Sequence, residues 1–226
     1  MRFFWRLLYA VLIFGMSPLV WAHVPYLEES DSTASRPSLI VTPLSKSIAI
    51  YSGLGGRDGV DVFEFKVSDD DLSNHTDKIH TGILIPRCED HRLFMPSVFL
   101  IGPAQAVIPR PSVALRRRIA VPIPKRYGAI ELPQEAPDNR DESSFFEEHT
   151  GTWYWWEHKL DLFVDRPGVY WIVVQSNHKV PGDYVLEFGD EEQWTPADWE
   201  RAGVLMPFLR EHREIRSASC RLEVGT

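Results

Sequence analysis

The chain has 226 residues, 24 Lys and Arg against 32 Asp and Glu, and a formal charge of −8 at pH 7. That length builds a hydrophobic core without needing disulfides or metal, and the acidic balance leaves no electrostatic footprint for nucleic acid. The one basic cluster, Arg116-Arg117-Arg118, reads as a solvated island.

Residues 1–22 have the build of a secretory signal peptide. Arg2 and Arg6 supply the positive region, Leu7 to Gly15 the apolar run, and Val20-Trp21-Ala22 a small-x-small-like cleavage site. The apolar run is shorter than the roughly 20 residues a spanning helix requires, and Pro25 with an acidic stretch follows at once. The expectation is a cleaved leader, residues 1–22, and a secreted or periplasmic domain, residues 23–226, that starts at His23. Losing two leader arginines and no acid takes the formal charge from −8 to −10. No later segment is apolar enough for a stable membrane span. Pro25 and the acids after it predict a flexible start.

Strand-like runs then alternate with turn residues. Ser47 to Tyr51 ends at the Gly53-Leu54-Gly55-Gly56 turn cluster. Asp61 to Val67 puts Phe63, Phe65 and Val67 on one face and Glu64 and Lys66 on the other, the period of a half-buried strand. Asp69-Asp70-Asp71 lacks the spaced oxygens of a calcium loop and reads as a solvated turn. Lys78 to Ile85, Ser97 to Ile101, Tyr127 to Leu132, Thr152 to Val164, Gly168 to Gln175 and Asp183 to Phe188 are the remaining strands. Between them, Pro103 to Pro124 carries too many prolines for a central strand, and Pro133 to Gly151 reads as a long acidic loop.

One helix closes the order. Thr195 caps it, Pro196 suits its first position, and Asp198 and Glu200 favour its N-terminal dipole. Trp199, Ala202, Met206 and Leu209 share a face, and Pro207 predicts a kink or two short pieces. Many strands and one late helix indicate an all-β fold, a β-sandwich or jelly-roll of antiparallel strands with a short C-terminal helical segment.

Three segments carry a resemblance. Asp58-Gly-Val-Asp61-Val-Phe63-Glu-Phe65, Gly168-Val-Tyr170-Trp-Ile-Val-Val and Gly182-Asp-Tyr184-Val-Leu-Glu-Phe resemble, in order, three strands of bacterial pre-peptidase C-terminal-like domains. With Gly151-Thr-Trp-Tyr154 and Gly189-Asp-Glu-Glu-Gln, the pattern is similar to a group of secreted bacterial and archaeal proteins built on such a domain. It covers roughly residues 45 to 195. The resemblance implies a β-sandwich acting as an accessory module, sometimes aiding substrate binding or secretion. Its glycines would open tight turns, and its tyrosines would bury their rings with the hydroxyls near the rim.

No hydrolase, zinc or phosphate-loop motif is present, so the reading is a non-catalytic binding or structural module with a protein or glycan ligand. Cys88 and Cys220 read as one disulfide in an oxidising compartment. Two alternatives name residues. A mature N-terminal His23 would offer an amine and an imidazole to copper, with His149 or His158 as partner and His80 and His178 as further candidates. The Trp153-Tyr154-Trp155-Trp156 cluster would give a sugar-stacking pair, Trp153 with Trp155, since alternate strand residues share a face.

Overall fold

Strands that are apolar on both faces must be covered twice, and this chain is built around that requirement. The computed structural model describes residues 23–28, 32–55, 59–135, 139–147, 150–176 and 180–212. The strands are β1 (Val24–Leu27), β2 (Ser38–Leu39), β3 (Ile48–Leu54), β4 (Val60–Val67), β5 (Lys78–Pro86), β6 (Ser97–Pro103), β7 (Tyr127–Glu131), β8 (Ser144–Glu147), β9 (Thr152–Phe163), β10 (Gly168–Gln175) and β11 (Gly182–Phe188). They form a six-stranded sheet, β1-β3-β11-β5-β9-β8, and a five-stranded sheet, β2-β4-β10-β6-β7. The expected all-β sandwich is present. Its edges correct the expected antiparallel pattern, because β1 runs parallel to β3 and β2 parallel to β4. The chain leaves β1, adds β2 to the other sheet and returns as β3, and a crossover rather than a hairpin permits parallel pairing. The flexible start expected at His23 is likewise a paired edge strand.

Motif residues make the core between the sheets. Phe65 packs on Tyr170, with ring centroids 5.5 Å apart, and on Phe188 at 4.9 Å. Asp61, 2% exposed, accepts a 2.7 Å hydrogen bond from the Tyr184 hydroxyl and so ties β4 to β11 across the sandwich. Tyr170 donates to the Arg166 carbonyl at 2.6 Å and accepts from Gln105. Both hydroxyls are therefore partnered inside rather than left at the rim. The two motif glycines act differently. Gly168 has φ +151°, the positive value expected, whereas Gly182 is needed for space: a Cβ there would stand 2.3 Å from the Phe94 ring.

The outer face of the five-stranded sheet is covered by the proline-rich segment. Ile119, Val121 and Ile123 pack on Val62, Phe99, Ile101 and Val173. That segment includes helix α2 (Val113–Arg118), where Arg118 meets Glu131 and Arg116 donates to the Ile123 carbonyl. The triple aspartate before it is not a plain turn but the first turn of helix α1 (Asp69–Ser73), in which Ser68 and Asp71 cap one another.

The acidic loop is also more ordered than its composition predicts. It contains β8, which pairs with β9. Arg140 anchors it: the guanidinium lies 4.3 Å from the Trp155 ring centroid, meets Glu157 at 2.7 Å and donates to the His91 and Phe94 carbonyls. Helix α3 (Pro196–His212) is continuous through Pro207, so of the kink or two short pieces expected there the two pieces are not found. Proline there removes one hydrogen bond, the one to the Gly203 carbonyl, and the helix is held by contacts at its start rather than by an unbroken ladder.

Beside the Cys88 position, buried His91 links two elements. Its Nδ1 sits 2.8 Å from Cys88 Sγ, and its Nε2 accepts the Asp183 N–H at 2.9 Å. Burial pushes its pKa from 6.5 down to about 4; nearby Arg140 adds to this and Asp90 opposes it. The unfolded imidazole therefore binds its proton first as pH falls, and stability present above pH 6.5 is lost between there and about 4, by up to about 3 kcal/mol. Urea titrations at pH 7 and 4.5 should show this slope, reduced in His91→Gln. By the same measurement Gly182→Ala should lose about 1–3 kcal/mol at pH 7, as overpacking against Phe94 requires.

Candidate functional site

The outer face of the six-stranded sheet is read row by row from its register. Glu187 of β11 lies between Ala49 of β3 and Gly82 of β5, and Gly82 pairs with Lys159 of β9. The next row is Tyr51, Val185, Leu84 and Trp156. Small residues flank the carboxylate, but the Trp156 ring fills the place above Gly82, 3.2 Å from where a Cβ would stand, so the space at Glu187 opens on the Ala49 side. Helix α3, packed on β1, lines one side of a partly open cavity of about 640 Å³ there. Its floor includes Tyr154, Trp156 and Val185, its side Phe145 and Phe146 of β8, and its roof Met206 and Gly203.

Helix α3 is pinned there by Asp198, which is 2% exposed. Lys46 Nζ meets its carboxylate at 2.6 Å, Arg201 meets it at 3.0 Å, and Thr195 exchanges hydrogen bonds with it as the expected cap. Burial alone would raise the Asp198 pKa, but the hydrogen bonds from Lys46 and Thr195 hold it well below the usual carboxylate range. Arg201 also lies 4.2 Å from the Tyr26 ring centroid, joining α3 to β1. Of the expected helix stripe, Ala202 and Leu209 are buried, whereas Trp199 is 63% exposed and stacks on Trp194.

Polar groups converge at one end of the cavity. His23 is held between Ser47 Oγ at Nδ1 and Glu187 Oε1, 3.1 Å from Nε2. Burial opposes its protonation, yet the bond and charge of Glu187 outweigh it and raise the His23 pKa above 6.5. Glu187 is 1% exposed and its second oxygen, Oε2, has no hydrogen-bond partner. Tyr51 and Tyr154 are pushed above the ordinary phenol pKa, chiefly by burial, with Glu147 adding in both. Carboxylates Glu147, Asp190 and Glu192 also line the space, against the cations His23 and Lys159.

The residues singled out from sequence fare unequally. His23 is in the site, but its imidazole nitrogens are engaged by Ser47 and Glu187. His158 is not a ligand candidate: it is 2% exposed, with Nδ1 facing the Leu132 and Pro133 carbonyls and Nε2 the Pro96 carbonyl. A β-bulge between Ile83 and Leu84 turns it away from the outer face. His149, His178 and Cys220 lie outside the described residues. Trp153 and Trp155 form no exposed pair, because Trp155 is in the core at 3% exposure while Trp153, at the strand end, is 47% exposed. Tyr154 and Trp156, on the opposite face, line the cavity instead. Among the described residues one group of three potential metal ligands converges: His80, Asp161 and Asp190. Lys78 Nζ already lies 2.9 Å from Asp161 and 2.6 Å from Asp190, so an ammonium neutralises that pair.

Glu187 was not singled out from sequence. Its signal was available: Asp183 and Glu187 are the charged positions on the outward face of a strand whose pattern is otherwise apolar. Comparison with protein-family models and with curated proteins finds no match to this chain.

Asp198→Asn leaves Lys46 buried without its counter-charge and should cost about 3–5 kcal/mol in urea unfolding. Amide hydrogen exchange along α3 should accelerate with it, while Glu200→Gln at the exposed neighbouring position leaves both unchanged. Because the folded carboxyl ionises below its unfolded value, the pin is intact above the usual carboxylate range and weakens only as pH falls below it.

Proposed function

We propose that this chain is an exported, non-catalytic binding module, a sandwich of the pre-peptidase C-terminal-like, jelly-roll kind, that holds a small apolar ligand in the cavity beneath α3. The observation that carries the reading is the cavity itself. At about 640 Å³, lined mostly by aromatic and aliphatic side chains with a few polar groups among them, it has the size and lining of small-molecule sites. The motif strands support the accessory-module part of the proposal, since they supply the core and leave the outer face to carry the site.

Export is supported by the leader architecture of residues 1–22. The Cys88–Cys220 bridge belongs to the same proposal, as the pairing that two cysteines take in an oxidising compartment. The copper and glycan alternatives gain less support. Among the described residues His23 has no second histidine in a ligand group, and the cavity's aromatic rings form an enclosed wall rather than a flat platform.

Nile red, a neutral apolar dye, should bind the purified protein with a blue-shifted, enhanced emission. Gly203→Trp tests the location. A Cβ at Gly203 meets no atom within 4 Å and the residue lines the cavity, so there is room there for a side chain that narrows the ligand's space. Dye binding should fall at least tenfold in that variant. Equal binding in both proteins would place the dye elsewhere and overturn the reading. Intact mass of the exported protein, with and without reductant, should give residues 23–226 with one disulfide.

A further inference from the structure

The cavity holds a carboxylate whose bonding is incomplete. Glu187 is 1% exposed in the centre of a sheet; one oxygen meets His23 and the other, Oε2, has no donor. Leaving a buried carboxylate oxygen unpaired costs about 1–3 kcal/mol or more, so the position is an expensive one to keep for packing alone. On the β5 side the Trp156 ring comes within 3.2 Å of where a Gly82 Cβ would stand, whereas Ala49, on the β3 side, borders the cavity.

The surroundings select for positive charge. Glu147, Asp190 and Glu192 line the same space, and the aromatic faces of Tyr51, Tyr154 and Trp156 present negative π-density to it. Three resident cations already use these groups: Lys78 Nζ lies 2.6 Å from Asp190, Lys159 Nζ lies 5.5 Å from the Trp156 ring centroid, and His23 sits on Glu187, whose bond and charge raise its pKa. His23 immediately precedes edge strand β1, with its side chain 28% exposed.

We propose that the cavity takes a small organic amine, an ammonium group on an apolar aromatic or aliphatic body, whose ammonium displaces the His23 imidazole from Glu187. The proposal rests on the binding-module reading and names its ligand class. An imidazolium brings one N–H to this carboxylate at a time, whereas a primary ammonium brings three and satisfies both oxygens. The apolar body then lies against Trp156, Tyr154 and Val185 under α3. A carboxylate-bearing analogue would face Glu187 and Glu147 and be rejected, and a neutral alcohol would leave the buried charge unanswered.

The test uses a matched set: 4-phenylbutylamine, 4-phenylbutanol and 4-phenylbutyrate, titrated calorimetrically into the purified protein at pH 7. The amine should bind at least tenfold tighter than the alcohol, and the acid weakest. Glu187→Gln should bring the amine to within twofold of the alcohol, in a variant whose circular dichroism shows it folded. In an NMR titration, saturating amine should return the His23 pKa toward 6.5, because its partner has been taken, and His23→Ala should bind the amine as tightly or better. Nile red binding without any amine preference, or an unchanged preference in Glu187→Gln, overturns the amine assignment and leaves the apolar site standing. Failure of Nile red and of all three compounds overturns both.

Discussion

A buried ion pair decides what this sandwich can do. Lys46 and Asp198 meet at 2.6 Å, both nearly inaccessible, and they hold the first turn of α3 against the six-stranded sheet. Without that pin the outer face, with Val185, Leu84 and Tyr154 on it, would lie open to water. The pair gains its strength from being shared. Thr195 and Arg201 bond the same carboxylate, so the charge is distributed over a cap, a lysine and an arginine rather than left on one contact.

The two outer faces are treated differently, and the difference is functional. On the five-stranded sheet the proline-rich segment lies down tightly and its isoleucines and valine fill the face. On the six-stranded sheet the cover is helix α3, packed on edge strand β1, and it leaves space between itself and Ala49, Tyr51 and Val185. The volume left beneath it is the cavity. Its chemistry follows from which side chains face outward on β3, β11, β5 and β9: rings and aliphatic groups, with carboxylates at one end. A desolvated carboxylate favours whatever cation can reach it. His23 and, over the neighbouring ring, Lys159 are the chain's own occupants of that field.

Much of the fold was legible because strand periodicity is local. Phe63, Phe65 and Val67 alternate with polar residues, and the aromatic strand begins at Gly168 as its pattern requires. What was illegible depended on distant partners. β1 and β2 are short, and their partners lie about 25 residues on, while β8 is four residues inside a stretch whose composition reads as loop. Strand alternation correctly separated Trp153 and Trp155 from Tyr154 and Trp156. It could not say which pair met the core, because that depends on where the opposing sheet ends. His158 drew notice as a ligand candidate, yet a bulge and three carbonyls absorb it.

By itself the sequence determined an all-β chain with a capped C-terminal helix. Those follow from period, turn residues and local apolar runs, which act over a few residues. Only the tertiary structure decided that Glu187 is the polar centre, that Tyr154 and Trp156 face it and that α3 roofs it. The reason is geometric: the cavity lies where separate segments meet, and only register sets Ala49 of β3 beside Glu187 of β11 and brings Trp156 of β9 up to Gly82 of β5.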